Sequence, residues 1–178
     1  MDYTRLWIDY EPVASLKGRS FSLITLESGR DIENILSELT LAVTVMTGSQ
    51  PLSSGIDTDY VIRLVIDPEL DSEGYTLIKD GRIYSVRSGG HRGLIYGSFR
   101  LIYIFKTKGL GGDFKLECKP HSPIRMADHW DNMDGSIERG YSGASFFFKD
   151  NKVVVNERTA DYARLMASIG INAVAINN

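Results

Sequence analysis

The chain has 178 residues, 43% hydrophobic and 24% charged, with a formal net charge of −3 at pH 7. These proportions exclude disordered and fibrous classes, and a mildly acidic balance without a long lysine or arginine run leaves no electrostatic footprint for nucleic acid or an anionic membrane. Cys118 is the single cysteine, so an internal disulfide and a cysteine-rich metal site are excluded too.

The N-terminal "MDYTRLWIDYEP" has no basic stretch followed by an apolar run of the kind a secretory signal needs, and no window approaches the roughly 18 apolar residues of a membrane span. A cytoplasmic location is the default expectation. The first element is a strand in "RSFSLITLES", rich in aliphatic and aromatic residues. After the turn-like "SGRD", Ile32, Ile35, Leu36, Leu39, Val43 and Met46 recur at helical spacing, which predicts a helix with one apolar stripe laid on a sheet. "TGSQPLSSG" ends it.

"DYVIRLVID" reads as a buried strand, and "GYTLIKDGRIYSVRS" as two alternating runs joined at Asp80-Gly81 into a tight hairpin. From Gly90 the period changes. Leu94, Ile95, Phe99, Ile102 and Phe105 share a helical face on which Gly97 permits close approach, and the helix is expected to end near Lys108. "FKLECK" is strand-like, with Cys118 as a small residue within it.

Residues 1–118 are thus expected to form an α/β, sandwich-like N-terminal accessory domain, and residues 119–178 have a different rhythm. "PIRMADHW" suits a short strand, the irregular "HWDNMDGSIERGY" follows, and then comes the aromatic "ASFFFKDNKVVVN". Thr159 is expected to cap a helix whose apolar positions Tyr162, Leu165, Met166 and Ile169 end at Gly170. "INAVAINN" then reads as a strand apolar on both faces, of the kind buried in a parallel sheet. Strand, helix and strand make one β-α-β unit. A strand apolar on both faces needs neighbours and covering layers, so the sequence is expected to be the start of a larger parallel β/α domain that continues past Asn178.

The acid-rich "HWDNMDGSIERGY" invites a calcium reading through Asp131, Asn132, Asp134 and Glu138, but the spacing fails. Setting Gly135 at the glycine position of a helix-loop-helix calcium loop puts Trp130 and Tyr141 where carboxylates are required. His91, His121 and His129 show no paired spacing, so each reads as a capped or surface imidazole rather than a zinc ligand. Ser136 lacks the "GxSxG" context of a nucleophile. Gly89-Gly90 before a helix reads as a turn more readily than as a phosphate cradle.

Placed on the β-α-β unit, residues 129–141 leave the C-terminal end of a strand, the face on which parallel barrels build their sites, and Asn177 and Asn178 end the next strand alongside. A tryptophan offers a flat face to sugar C–H groups, while Asp, Asn, Glu and Arg offer directed hydrogen bonds to hydroxyls and carboxylates. The same residues also suit a structural part, with Glu138 and Arg139 bracing the loop and Trp130 packed. Spacing alone leaves both open.

The runs "HWDNMDGSIERGYSG", "ASFFF", "DYARLMASIGINAVAINN" and "SPIRM" closely resemble the start of the catalytic barrel of glycoside hydrolase family 67, the α-glucuronidases. "LWIDYEP" and "RSGGHRGLIYGSFRLIYIF" are similar to that family's N-terminal domain, and Ser142 stands where alanine is usual in "RGYAG". The resemblance implies a two-part fold, an accessory domain followed by the first β-α-β unit of a truncated (β/α)8 barrel. It further implies hydrolysis of the α-1,2 bond between glucuronic acid, or its 4-O-methyl ether, and the terminal xylose of glucuronoxylan-derived oligosaccharides, by an inverting acid/base mechanism without metal or organic cofactor. It leaves a homodimer open for the full-length parent. The general acid and base belong to later strands, so none of residues 1–178 is expected to be catalytic and the chain alone is expected to be inactive. Trp130 carries over as a wall of the glucuronic acid pocket, and Glu138 with Arg139 as the family's "ER" pair. Asp131, Asn132 and Asn178 carry over by position only. A non-catalytic carbohydrate-binding or interaction module is the rival reading.

Overall fold

The computed structural model describes residues 8–53, 57–137 and 143–176. The chain divides into two compact units, one of Tyr10–His121 and one of Ser122–Asn178 with Met1–Asp9. Both are mixed α/β.

The first unit runs β1 (Phe21–Ile24), α1 (Arg30–Thr47), β2 (Tyr60–Ile66), β3 (Tyr75–Asp80), β4 (Ile83–Ser88), α2 (His91–Lys108) and β5 (Phe114–Cys118). Among the described residues these strands form one mixed sheet in the order β1-β2-β4-β3-β5. The β1-β2 and β2-β4 pairs are parallel, and β3 runs antiparallel to β4 and β5. The stripe expected on α1 is buried at Ile32, Ile35, Leu39, Val43 and Met46, and Gly48 closes the helix in the left-handed region with its N–H on the Thr44 carbonyl. Helix α2 packs on β2, β3 and β4 and against α1. Phe21, Tyr84 and Phe105 interlock at the centre, with Phe105 edge-on to both rings at centroid distances of 5.7 and 4.9 Å.

The hairpin forms with a small change of register from the sequence reading. Asp80 pairs with Ile83, so the two connecting residues are Gly81 and Arg82 rather than Asp80 and Gly81. Only Gly81 has positive φ, at 54°, as a turn with glycine in its first central position requires. The Gly89-Gly90 turn is structural. A Cβ on Gly89 would lie 2.0 Å from the Leu70 carbonyl oxygen, so the turn packs against the 70–72 loop.

The second unit contains β6 (Met126–Asp128), β7 (Phe148–Lys149), β8 (Lys152–Val153), α3 (Glu157–Ser168) and β9 (Ala173–Ala175). Strands β6 and β9 pair in parallel, Asp128 opposite Ala175. At their N-terminal ends Asn172 Oδ1 accepts from the Arg125 amide at 2.9 Å and its Nδ2 donates to the Pro123 carbonyl at 2.8 Å, which holds the register. Strands β7 and β8 form a hairpin through Asp150 and Asn151, both at positive φ (52° and 59°), a type I′ pattern that the sequence reading passed over.

Two expectations need correction here. Asn156, not Thr159, is the N-cap of α3; Thr159 sits at the third helical position and completes a reciprocal capping box with it. A threonine three residues into the helix can bond back to the cap amide, so spacing alone confuses the two roles. Strand β9 is also not buried on both faces: Val174 is 38% exposed, and α3 has no buried residue. One helix and one neighbouring strand do not enclose a parallel strand. No helix among the described residues is long and apolar enough to cross a membrane.

Candidate sugar-binding site

The end of β6 builds the site by alternation. Asp128 and Trp130 are exposed, whereas His129 is half-buried and Asp131 is buried, so successive side chains leave on opposite faces. The strand pairing continues one residue further, with the His129 amide donating to the Ala175 carbonyl at 3.0 Å. The C-terminal ends of β6 and β9 therefore lie side by side.

His129 points towards α3. Its Nε2 lies 2.6 Å from the Tyr162 hydroxyl, and its ring meets Phe147 and Tyr162 edge-on at 4.8 and 5.3 Å. Phe146 joins the cluster at 4.7 Å from Phe147, with the Arg158 guanidinium 4.7 Å from its ring centroid. Of the two fates expected for a lone histidine, capped or on the surface, His129 has the first. Burial raises the Tyr162 hydroxyl above the ordinary tyrosine range.

Asp131 points inward as well. Its Oδ2 accepts from the Ser145 hydroxyl, from the Phe146 amide at 2.8 Å and from the Phe147 amide at 3.3 Å. Burial pushes the carboxyl up, but these donors, aided by His129, outweigh it and hold Asp131 below the ordinary aspartate range. The carboxylate is thus committed to binding residues 145–147 to the loop.

Residues 132–136 close a compact turn. Asn132 donates through Nδ2 to the Ser136 hydroxyl at 3.0 Å, and Asp134 Oδ1 accepts from the Ser136 hydroxyl and amide at 2.6 and 2.9 Å. The Ser136 hydroxyl also holds Asp134 below its ordinary range. Ser136 is therefore held within a turn by Asn132 and Asp134, and among the described residues its hydroxyl has no histidine partner. Among the described residues no group of three or more His, Cys, Asp and Glu side chains gathers to hold a metal.

Trp130 is 38% exposed at the strand end, and its Nε1 donates to Asp128 Oδ2 at 3.3 Å. Trp130, Asp131 and Asn132 follow one another on this loop, but the fold turns Trp130 outward and Asp131 inward, so it does not gather them on one face. Glu138, Arg139 and Asn178 lie outside the described residues. The sequence reading missed Asp128, Ser145 and the Phe146, Phe147 and Tyr162 cluster. The signal for Asp128 was the strand alternation itself, since it lies two positions before Trp130.

Residues 106–178 match the glycosyl hydrolase family 67 middle domain. Over 112 residues, 62% of this chain and 13% of the relative, the sequence is 44% identical to alpha-glucuronidase A of Aspergillus tubingensis. Over 176 residues, 95% of this chain and 19% of the relative, it is 37% identical to alpha-glucuronidase A of Emericella nidulans. The chain thus spans 13% to 19% of the length of these two relatives. Among solved structures, a GH138 enzyme targeting pectin rhamnogalacturonan II superposes with a TM-score of 0.64 at 16% identity, covering 89% of this chain and 19% of that one. At that identity the likeness is one of fold.

Proposed function

The chain belongs to glycosyl hydrolase family 67, and from that premise we propose that it forms part of an α-glucuronidase. In this reading residues 10–121 are an accessory domain, and β6, α3 and β9 are the first β-α-β unit of a (β/α)8 barrel. The enzyme releases α-1,2-linked glucuronic acid, or its 4-O-methyl ether, from xylo-oligosaccharides. The observation that carries the proposal is the parallel β6-β9 pair, with an exposed Trp130 at its C-terminal end, where barrel enzymes assemble their sites.

The residues of this chain bind and shape rather than cleave. Trp130 offers the sugar ring an apolar face, while the turns held by Asp131 and Asn132 keep the loop rigid. Inverting hydrolysis needs one carboxylic acid to protonate the leaving oxygen and one carboxylate to activate water on the opposite face, separated by roughly 6.5–9.5 Å. We assign both to strands following residue 178.

The test is release of glucuronic acid from aldouronic acids by the full-length enzyme, with the anomer formed first read by proton NMR. Inverted product is expected, and Trp130→Ala is expected to lower kcat/KM by about tenfold or more through lost stacking area. Absence of release by the full-length wild type defeats the proposal; unchanged kinetics in the alanine variant returns Trp130 to a packing role.

A further inference from the structure

The contacts at the end of β6 decide which way each of its faces looks. His129 is held by Tyr162 of α3, and Asp131 by residues 145–147, so this face of the extended segment is packed within its own unit. Met126, Asp128 and Trp130 occupy the opposite face, and all three are exposed. In a parallel β/α barrel the crossover helices form the outer ring, so the strand face turned from its own helix looks into the barrel. Asp128 and Trp130, the last two residues of that face, then stand at the mouth of the barrel.

Their chemistry suits a joint task. The indole N–H of Trp130 donates to Asp128 Oδ2 at 3.3 Å, which ties the ring plane to a carboxylate beside it. Among the described residues Asp128 has no ion-pair partner, and Oδ1 receives no hydrogen bond, although an ionised carboxylate is an acceptor with capacity for several. A pyranose stacked on an indole directs its hydroxyls outward from the ring edge, where an adjacent carboxylate accepts them in charge-assisted hydrogen bonds.

Resting on the functional reading above, we propose that Asp128 is a sugar-binding residue. Its Oδ2 positions the Trp130 ring, and its Oδ1 accepts a hydroxyl of the sugar stacked there. The role is binding, not proton transfer: Asp128 is exposed and holds the substrate through an interaction present both before and during the reaction, so its loss weakens KM more than kcat.

The experiment compares wild type, Asp128→Ala and Asp128→Asn of the full-length enzyme on aldotetraouronic acid, with thermal midpoints measured in parallel. Asp128→Ala is expected to raise KM about 10- to 100-fold, as loss of a hydrogen bond to a charged group implies, with kcat within about threefold. Asp128→Asn keeps an acceptor oxygen without the charge and should fall between the two. Midpoints should be unchanged in both variants. The assignment is overturned by a KM within about twofold of wild type in Asp128→Ala, by a loss confined to kcat, or by a lowered midpoint in both variants, which marks a structural role. If the wild type itself releases no glucuronic acid, the functional reading fails and this assignment falls with it; if the wild type is active and Asp128→Ala matches it, only the assignment fails.

Discussion

Asp131 stands next to Trp130 in the chain, yet strand geometry sends the first inward and the second outward. At 6% exposure, with Oδ2 receiving donors from Ser145, Phe146 and Phe147, Asp131 joins two loop segments that are far apart in sequence. Its removal takes the acceptor from the part-buried Phe146 amide and from the Ser145 hydroxyl, while the Phe147 amide keeps Ser145 Oγ at 3.1 Å, and Asp131→Ala is expected to cost roughly 1–3 kcal/mol. The sign of the pH dependence follows from the lowered carboxyl. Because the folded form holds the proton less tightly than the unfolded form, the stabilisation is fully present above the unfolded aspartate range near about pH 4 and is lost as pH falls through the lowered folded value. Urea unfolding between neutral and acid pH should therefore show a shallower acid loss in Asp131→Ala than in wild type; equal slopes would remove Asp131 from the list of acid-sensitive braces. The family resemblance had placed Asp131 with Asn132 among the candidate sugar ligands by position only. Residue type states what a carboxylate can accept, whereas only the fold states which donors reach it first.

At the scale of elements, α2 owes its seat on the sheet to two glycines. The sequence pointed to Gly97, where a Cβ would come 2.6 Å from Val86 Cγ1. Gly93 is tighter and was missed: its Cβ would lie 2.0 Å from the Ser88 hydroxyl and 2.1 Å from the Gly74 carbonyl oxygen, which itself accepts from Ser88 at 2.7 Å. A side chain such as Val86 can shift, but a backbone carbonyl engaged in a hydrogen bond cannot without moving β3. Gly93→Ala should thus destabilise the first unit by about 1–3 kcal/mol after its gain in helix propensity, and by more than Gly97→Ala. Thermal unfolding followed by circular dichroism measures this, and a Gly93→Ala midpoint at or above wild type would contradict the packing argument. Periodicity located α1, α2, the β3-β4 hairpin and α3 because each buries or aligns a regular stripe. It did not find the β7-β8 hairpin, whose strands are two residues each and too short to show a period.

Across the whole molecule the two units differ in how much they enclose. Residues 10–121 contain a mixed sheet with a helix packed on it and an interlocked aromatic core. In residues 122–178, Val155 is 82% and Met126 55% exposed, and no residue of α3 is buried. Apolar side chains left in water contribute nothing to stability at the usual ~25 cal/mol per Å², so this unit presents surface that further strands and helices would cover in the proposed barrel. The 178-residue chain alone is accordingly expected to bind a hydrophobic dye and, with both carboxylates of the proposed pair assigned to later strands, to release no glucuronic acid from aldouronic acids. Measurable turnover by the isolated chain would overturn both the assignment of those carboxylates to later strands and the need for a closed barrel.

The sequence by itself determined the order of the main elements, the α/β class and the kinship, because hydrophobic period and long motifs are local properties written in consecutive residues. Tertiary structure alone decided that Asp131 braces while Asp128 faces outward with Trp130, that Asn156 caps α3, and that Gly93 is the tightest point of the α2 seat. Each of these depends on which group from a distant segment arrives within hydrogen-bonding or van der Waals range, and residue type or spacing along the chain does not carry that distance.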